Sequence, residues 1–264
     1  MKKQYFPVFL FVLTIATPVF AQQILSVTST VQAPYDNMSD LIRDHLTGSG
    51  VEILSVESNN DPRSVGFFTD GDSSIGLQRG LILTTGFAEE ATEPGSVWAS
   101  NANISGSIQP ELTAIATESL DDVAYFRITF RPLSDSIRFR YVFASDEYPE
   151  FACSPFNDIF GFFLSGPNPS GGDYNDLNIA LIPGTNLPVA INNLHPNNPN
   201  YAPCPPLNEQ YYHDNEDSSV QPVYDGFTDI FIAEASVVPC ATYEMVIAIA
   251  DVQDSAYDSG VFLE

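Results

Sequence analysis

Basic residues are scarce in this chain. Nine Lys plus Arg face 34 Asp plus Glu over 264 residues, no lysine follows Lys3, and the formal charge is −25. That balance argues against a nucleic-acid partner, since gripping phosphates takes a basic surface. Past the N-terminus, no apolar run approaches the roughly 20 residues that span a bilayer as a helix, so no transmembrane segment is expected in the mature chain. The signatures G-x-S-x-G and H-E-x-x-H are missing, as are a phosphate-binding loop and a dinucleotide fingerprint. Cysteine is limited to Cys153, Cys204 and Cys240, and the histidines His45, His195 and His213 are scattered. Zinc is therefore a poor reading.

The N-terminus is the one long apolar feature. Lys2 and Lys3 precede an apolar stretch from Tyr5 to Ile15, and Val19-Phe20-Ala21 offers small residues at the spacing a signal peptidase reads. Residues 1–21 are thus expected to be a signal peptide, with the mature chain starting at Gln22. Its removal takes both lysines and leaves arginine as the sole basic side chain. In an exported protein disulfides persist, and three cysteines allow one bridge among Cys153, Cys204 and Cys240, in any of three pairings. The acidic excess keeps such a chain soluble and attracts divalent cations, although a salt-rich habitat would favour the same composition.

No Pro/Ser/Gly-rich linker and no internal repeat divides the remainder, so one domain is expected, with residues 22–50 leading into a body over 51–264. Strands are expected at Ile24–Val31, Val51–Val56, Val65–Thr69 and Leu81–Thr85, and a short helix at Asn37–Leu46, capped by Asn37 or Ser39 and stopped by Gly48. Pro110 and Glu111 can open a second short helix. In Ala124–Arg131, Ala124, Phe126, Ile128 and Phe130 share one face; in Ile137–Ala144, Ile137, Phe139, Tyr141 and Phe143 do the same. These two read as a hairpin, which would collect Arg127, Arg131, Arg138 and Arg140, four of the seven arginines, on one solvent face. Later strands are expected at Asp158–Ser165, Asn178–Ile182, Pro188–Ile191, Phe227–Ala233 and Thr242–Ala250. The last is apolar on both faces and should be central in a covered sheet. A long Asn/Pro/Tyr-rich loop fills Asn192–Asp225, including an acidic run from His213 to Asp217.

Chemistry concentrates where strands end. The runs YVFASDEYPEF and IAIADVQDSAYDSG each stop at clustered carboxylates, and hard cations such as calcium take six to eight oxygen ligands. Asp146, Glu147, Asp158, Asp251 and Asp254 are the candidate calcium or ligand residues; Asp258, before Ser259 and Gly260, reads as a turn cap. The arginine stripe has two readings: pairs with acids on neighbouring strands, or a landing place for carboxylated or sulfated glycans. A glycosidase would need two of the same acids facing a sugar, which spacing in sequence does not establish.

The blocks GLILTTGFA, FASDEYPEF, FNDIFGFFLSGPNPSG, NIALIPGTNLPVAINN, YDGFT and CATYEMVIAIADVQDSAYDSGVFLE resemble, in order and content, the bacterial choice-of-anchor L domain over about Val51 to Glu264. The resemblance implies an all-β, jelly-roll-like β-sandwich with one or two short helices and long loops. It also implies an exported cell-surface protein of the outer membrane exterior. Bacteroidetes-like relatives are commonly substrates of the type IX secretion machinery. Relatives commonly read Thr-Tyr-His where this chain has Thr242-Tyr243-Glu244, and they continue past the strand in which Glu264 lies, so truncation before an anchor or sorting signal is expected. The expected function is a non-enzymatic module for adhesion or for binding an extracellular glycan or protein, stabilised by calcium. The alternatives are a structural spacer in a large surface protein and, third, a carbohydrate-active hydrolase.

Overall fold

The computed structural model describes residues 24–48, 50–58, 60–101, 106 and 109–264; the signal-peptide segment lies outside the described residues. Among the described residues, fourteen strands form two antiparallel sheets. The larger sheet is ordered β1 (Ser26–Ser29), β3 (Val65–Thr69), β4 (Arg79–Thr84), β14 (Ser259–Leu263), β6 (Ser136–Ser145), β11 (Gly226–Thr228) and β10 (Tyr212–Asp214), with β12 (Phe231–Ser236) also on β6. The smaller is ordered β2 (Val51–Glu57), β5 (Leu120–Pro132), β13 (Tyr243–Val252), β7 (Ile159–Pro167) and β8 (Asp173–Asn178), with β9 (Val189–Ala190) on β7. This is the all-β sandwich that the resemblance implied.

Alternation along the strands builds the core. Phe126, Ile128 and Phe130 of β5 and Ile247 and Ile249 of β13 meet Phe67, Leu83, Tyr141, Phe143 and Val261 of the facing sheet. Two smaller apolar layers cover the outer faces. Phe68, Ile82, Val142 and Phe262 lie beneath the loops carrying Leu77, Ala91, Ala99 and Tyr224. Val123, Phe163, Val246 and Ala248 lie beneath the short helix α2 (Pro110–Thr113) and its Leu112. Strand β13 is buried almost throughout and sits between β5 and β7, the central position its two apolar faces require. Asn37 caps α1 (Met38–Leu41) through the Ser39 and Asp40 amides, and the helix continues into a wide turn over Ile42–Leu46.

One pairing differs from expectation. β5 and β6 do not form a hairpin: β5 pairs with β2 and β13, whereas β6 pairs with β14, β11 and β12. The short link after Pro132 carries the chain from one sheet to the other. Alternation specifies which face is buried, and two strands facing each other across a core show the same pattern as two lying side by side. Boundaries also shift. The strand expected over Asn178–Ile182 lies earlier, as β8, and Phe227–Ala233 splits into β11 and β12, with the Thr228 hydroxyl accepting the Phe143 amide at 3.1 Å near the break.

Candidate functional site

Strand ends from both sheets converge at one end of the sandwich. Ser145 closes β6 and runs into Asp146 and Glu147; Asp158 precedes β7, Asp225 precedes β11 and Asp258 precedes β14. Asp251 stands beside a bulge in β13. Register gathers them, since Ser145 lies opposite both Ser259 and Gly226, and Ile159 lies opposite Ala250. Where ladders stop, amides lose their strand partners and need other acceptors, and carboxylates accept strongly.

Three acids meet that need. Asp146 accepts the Ala99 amide and, at 2.9 Å, the Asp225 amide. Asp158 accepts the Val252 amide at 3.0 Å from one sheet and the Ser259 hydroxyl at 2.6 Å from the other. Asp258 accepts the Asn101 amide at 3.0 Å and its side-chain nitrogen at 2.8 Å, so its carboxylate fastens a distant loop, where the sequence suggested a cap of its own turn. That approach requires Gly86, because a Cβ there would fall 1.8 Å from Asp258 Oδ2.

Two acids are not used in this way. Glu147 Oε2 and both carboxylate oxygens of Asp251 are buried without a donor in ideal bonding geometry, although Asp251 lies close enough to Asp158 for the two carboxyls to share a proton and close enough to Thr85 for that hydroxyl to favour its charged form. Asp146, Glu147, Asp158 and Asp251 are each 2 % exposed or less. Among the described residues, no ion pair reaches any of them.

Burial without counter-charge disfavours the ionised form. It pushes Asp146 up to about 9. Burial and then the charges of Asp158, Asp254 and Asp146 push Glu147 up to about 10. Asp158 rises to about 7 and Asp258 to about 6, burial outweighing the bonds from Ser259 and Asn101. Burial, reinforced by Asp158, holds Asp251 well above the usual carboxylate range.

The structure thus brings together four of the five candidate residues. Asp254 stays outside: it is exposed and caps its own turn by accepting the Ala256 amide at 3.0 Å, while its charge still reaches Glu147. Asp225 joins the group although sequence reasoning passed over it. Its signal was the same one that marked the others, a carboxylate immediately before a strand in YDGFT.

The arginine stripe does not exist as one surface. Arg127 and Arg131 stand on the outside of the β5 sheet and Arg138 and Arg140 on the outside of the β6 sheet, because the two strands face each other across the core. Three of the four form ion pairs: Arg127 with Glu111 at 2.6 Å and with Glu244, Arg131 with Glu52 at 3.7 Å, and Arg140 with Glu264. Arg138 lies opposite Glu234 in register.

Cys153 and Cys204 form the disulfide, leaving Cys240 free and exposed. His195 lies 3.8 Å from each sulfur. This is the one group of three potential metal-binding side chains, among the described residues, whose ligand atoms fall within 4.8 Å of one another. A disulfide leaves no thiolate to bind a metal, so it is no zinc centre.

No helix among the described residues is long and apolar enough to cross a membrane. No curated protein and no solved structure matches the chain. The model of the choice-of-anchor L domain matches residues 28–264, from within β1 to the end of β14. On that match, which takes in both sheets and every carboxylate of the loop end, the chain belongs to the choice-of-anchor L domain family, a family of exported surface modules.

Proposed function

We propose that this chain is a non-enzymatic module of the cell surface, on the outer membrane exterior, that binds an extracellular glycan or protein and is stabilised by calcium at the loop end of its sandwich. The observation carrying the calcium reading is the buried acid group of Glu147, Asp158 and Asp251 with no base in contact: Glu147 Oε2 has no donor, and Asp251 meets only another carboxyl, that of Asp158, and the Thr85 hydroxyl. A buried polar group without a partner calls for an ion or a water, and oxygen-only donors suit calcium better than a softer metal. No three carboxylates there bring ligand oxygens within 4.8 Å of one another. A cation would therefore use them in pairs and complete its shell with hydroxyl, backbone or water oxygens.

The loops held by these acids supply the recognition surface. Trp98, the only tryptophan, is 68 % exposed and adjoins Ala99, whose amide Asp146 holds. Its ring meets Tyr257, and Tyr257 meets Phe151. Exposed aromatics of this kind supply binding area at low entropic cost. A hydrolase fits less well, since acids 2 % exposed or less do not reach a sugar.

The test is thermal melting of the mature protein in millimolar calcium, in magnesium and in chelator. A ligand at about a thousand times its Kd contributes about 4 kcal/mol, or about 8–16 °C for a chain of this size. Magnesium, which sheds its waters reluctantly, should shift the midpoint far less. Equal midpoints in calcium and chelator would remove the metal. Glycan-array binding that weakens in the Trp98→Ala variant supports the recognition surface; absence of any binding leaves the spacer reading.

A further inference from the structure

The bridge between Cys153 and Cys204 joins the turn after β6 to the long loop that follows β9, and His195 from that loop stands against both sulfurs. Its Nδ1 lies 2.7 Å from the Pro196 carbonyl. A carbonyl only accepts, so Nδ1 carries the proton and Nε2 keeps the lone pair. Among the described residues, the one group in bonding reach of Nε2 is the Cys153 sulfur at 3.8 Å, and a sulfur in a disulfide has no proton to give. His195 is 2 % exposed. Its free ring nitrogen is therefore a buried acceptor that the oxidised bridge leaves without a donor.

Hydrogen bonds other than the bridge hold these segments together. Asn192 accepts the Cys153 amide and donates to the Ser154 carbonyl at 2.7 Å, while Asn198 donates to the Glu150 and Ala152 carbonyls at 2.7 and 2.9 Å. The backbone of His195 is tied to Leu207 in both directions, at 2.9 and 3.0 Å. Breaking the S–S bond removes none of these contacts. Cys204 and His195 are buried, whereas Cys153 is exposed and has room to turn.

We propose that Cys153, Cys204 and His195, once the cysteines are thiols, form a zinc site that takes the place of the disulfide. It goes beyond the surface-binding reading and uses none of the acids at the loop end. Reduction by a dithiol passes two electrons and two protons to the sulfurs, breaks the S–S bond and closes the donor to its own disulfide. Zinc then displaces the two thiol protons and is held by two thiolates and Nε2. Tetrahedral zinc, with Zn–S about 2.3 Å and Zn–N about 2.0 Å, sets sulfur–nitrogen edges of about 3.6 Å and a sulfur–sulfur edge of about 3.8 Å. The histidine already stands at that range, and rotation of the Cys153 side chain parts the sulfurs. The Pro196 carbonyl orients the ring as the outer partner of a metal-bound histidine does, and water takes the fourth place on the exposed side. Thiolates with an imidazole select zinc over calcium or magnesium. Cys153 and His195 are 42 residues apart, and His195 and Cys204 are 9 apart, outside the spacings by which zinc sites are read from sequence.

The experiment is titration of the mature protein with cobalt(II), the spectroscopic stand-in for zinc, under a phosphine reductant without oxygen. Reduced wild type should bind one ion with a thiolate-to-cobalt charge-transfer band and the visible bands of a tetrahedral site, and zinc should erase them. The untreated disulfide form should show neither. His195→Gln keeps the bridge when oxidised, so its fold is checked before reduction; it should then weaken the thiolate-bound ion at least tenfold and alter the visible bands. Cys204→Ser should abolish the ion, and Cys240→Ser should leave it unchanged. Reduced wild type without a thiolate band overturns the site, whether the segments part or the ligands stay out of reach. Bands that survive His195→Gln unchanged, or that vanish in Cys240→Ser, overturn it as well, since the metal then sits on other groups. Cobalt on carboxylates gives no thiolate band, so failure of the calcium reading does not imitate failure here.

Discussion

The outer faces of the sheets and the loop end of the sandwich handle charge in opposite ways. On the faces Arg127, Arg131 and Arg140 each meet an acid from a neighbouring element. At the loop end Asp146, Glu147, Asp158, Asp225, Asp251 and Asp258 are buried together, and none of them is in an ion pair among the described residues. Surface pairs in water contribute little and are replaceable. Buried acids of one sign must be protonated, hydrogen-bonded or metal-bound. The contrast locates where this fold depends on its solution conditions.

The largest expected effect is a reversal of pH dependence by calcium. An acid raised above its unfolded value near 4 binds more protons when folded, so stability falls as pH rises. In chelator the loss should begin above about pH 4. It should then continue through the values of about 6 for Asp258, about 7 for Asp158 and Asp225, about 9 for Asp146 and about 10 for Glu147. Calcium favours the ionised acids, so the midpoint difference between calcium and chelator should grow from pH 5 to pH 8. A difference that is flat with pH would show that the metal does not reach these groups.

Next in size is Asp146→Ala. It removes the acceptor for the Ala99 and Asp225 amides, and stranding two buried donors costs about 2–4 kcal/mol. Urea unfolding in chelator measures it, and the fluorescence of Trp98 should report the loosened loop. Asp251→Asn should act with the opposite sign. Without calcium at pH 8 it removes an unsatisfied acid and should stabilise by about 2 kcal/mol, while the calcium increment shrinks. Destabilisation in chelator would mean that Asp251 is already satisfied by protein groups. On the outer face, Arg127→Gln should cost about 1–2 kcal/mol, because Glu111 is 8 % exposed and would keep its charge with no partner. A loss below about 0.5 kcal/mol would place that pair with the ordinary surface pairs.

The sequence made this contrast legible only in part. Period-two alternation identified the inward faces of β5 and β6 and the central place of β13, because side-chain direction is a local property of a strand. It did not identify partners, which are set by long-range register, and so the single arginine face was an artefact of an assumed hairpin. The carboxylates at strand ends were visible for the same local reason. Their division into amide-holding acids, Asp146, Asp158 and Asp258, and acids that hold no amide, Glu147 and Asp251, depends on contacts separated by up to 157 residues. Glu111 was placed at the start of a short helix, as found, but its role as the buried partner of Arg127 is a tertiary contact that the local pattern does not show. Of the three possible cysteine pairings, the one found joins the turn after β6 to the long loop, two segments brought together by tertiary structure alone.

The smallest expected effect belongs to Arg138 and Arg140. Both are exposed, Arg138 lies opposite Glu234 and Arg140 pairs with Glu264 at the end of β14. Replacing both by glutamine removes two surface interactions, each contributing about 0–1 kcal/mol, so the thermal midpoint should move by no more than a few degrees. Binding to carboxylated or sulfated glycans should be unchanged, because the other two arginines face away on the opposite sheet and cannot add a bidentate fork to the same ligand. Loss of acidic-glycan binding in this double variant, with the midpoint preserved, would give the β6 face a recognition role of its own. The present comparison would then be reversed, with the paired charges serving the ligand and the unpaired ones serving the fold.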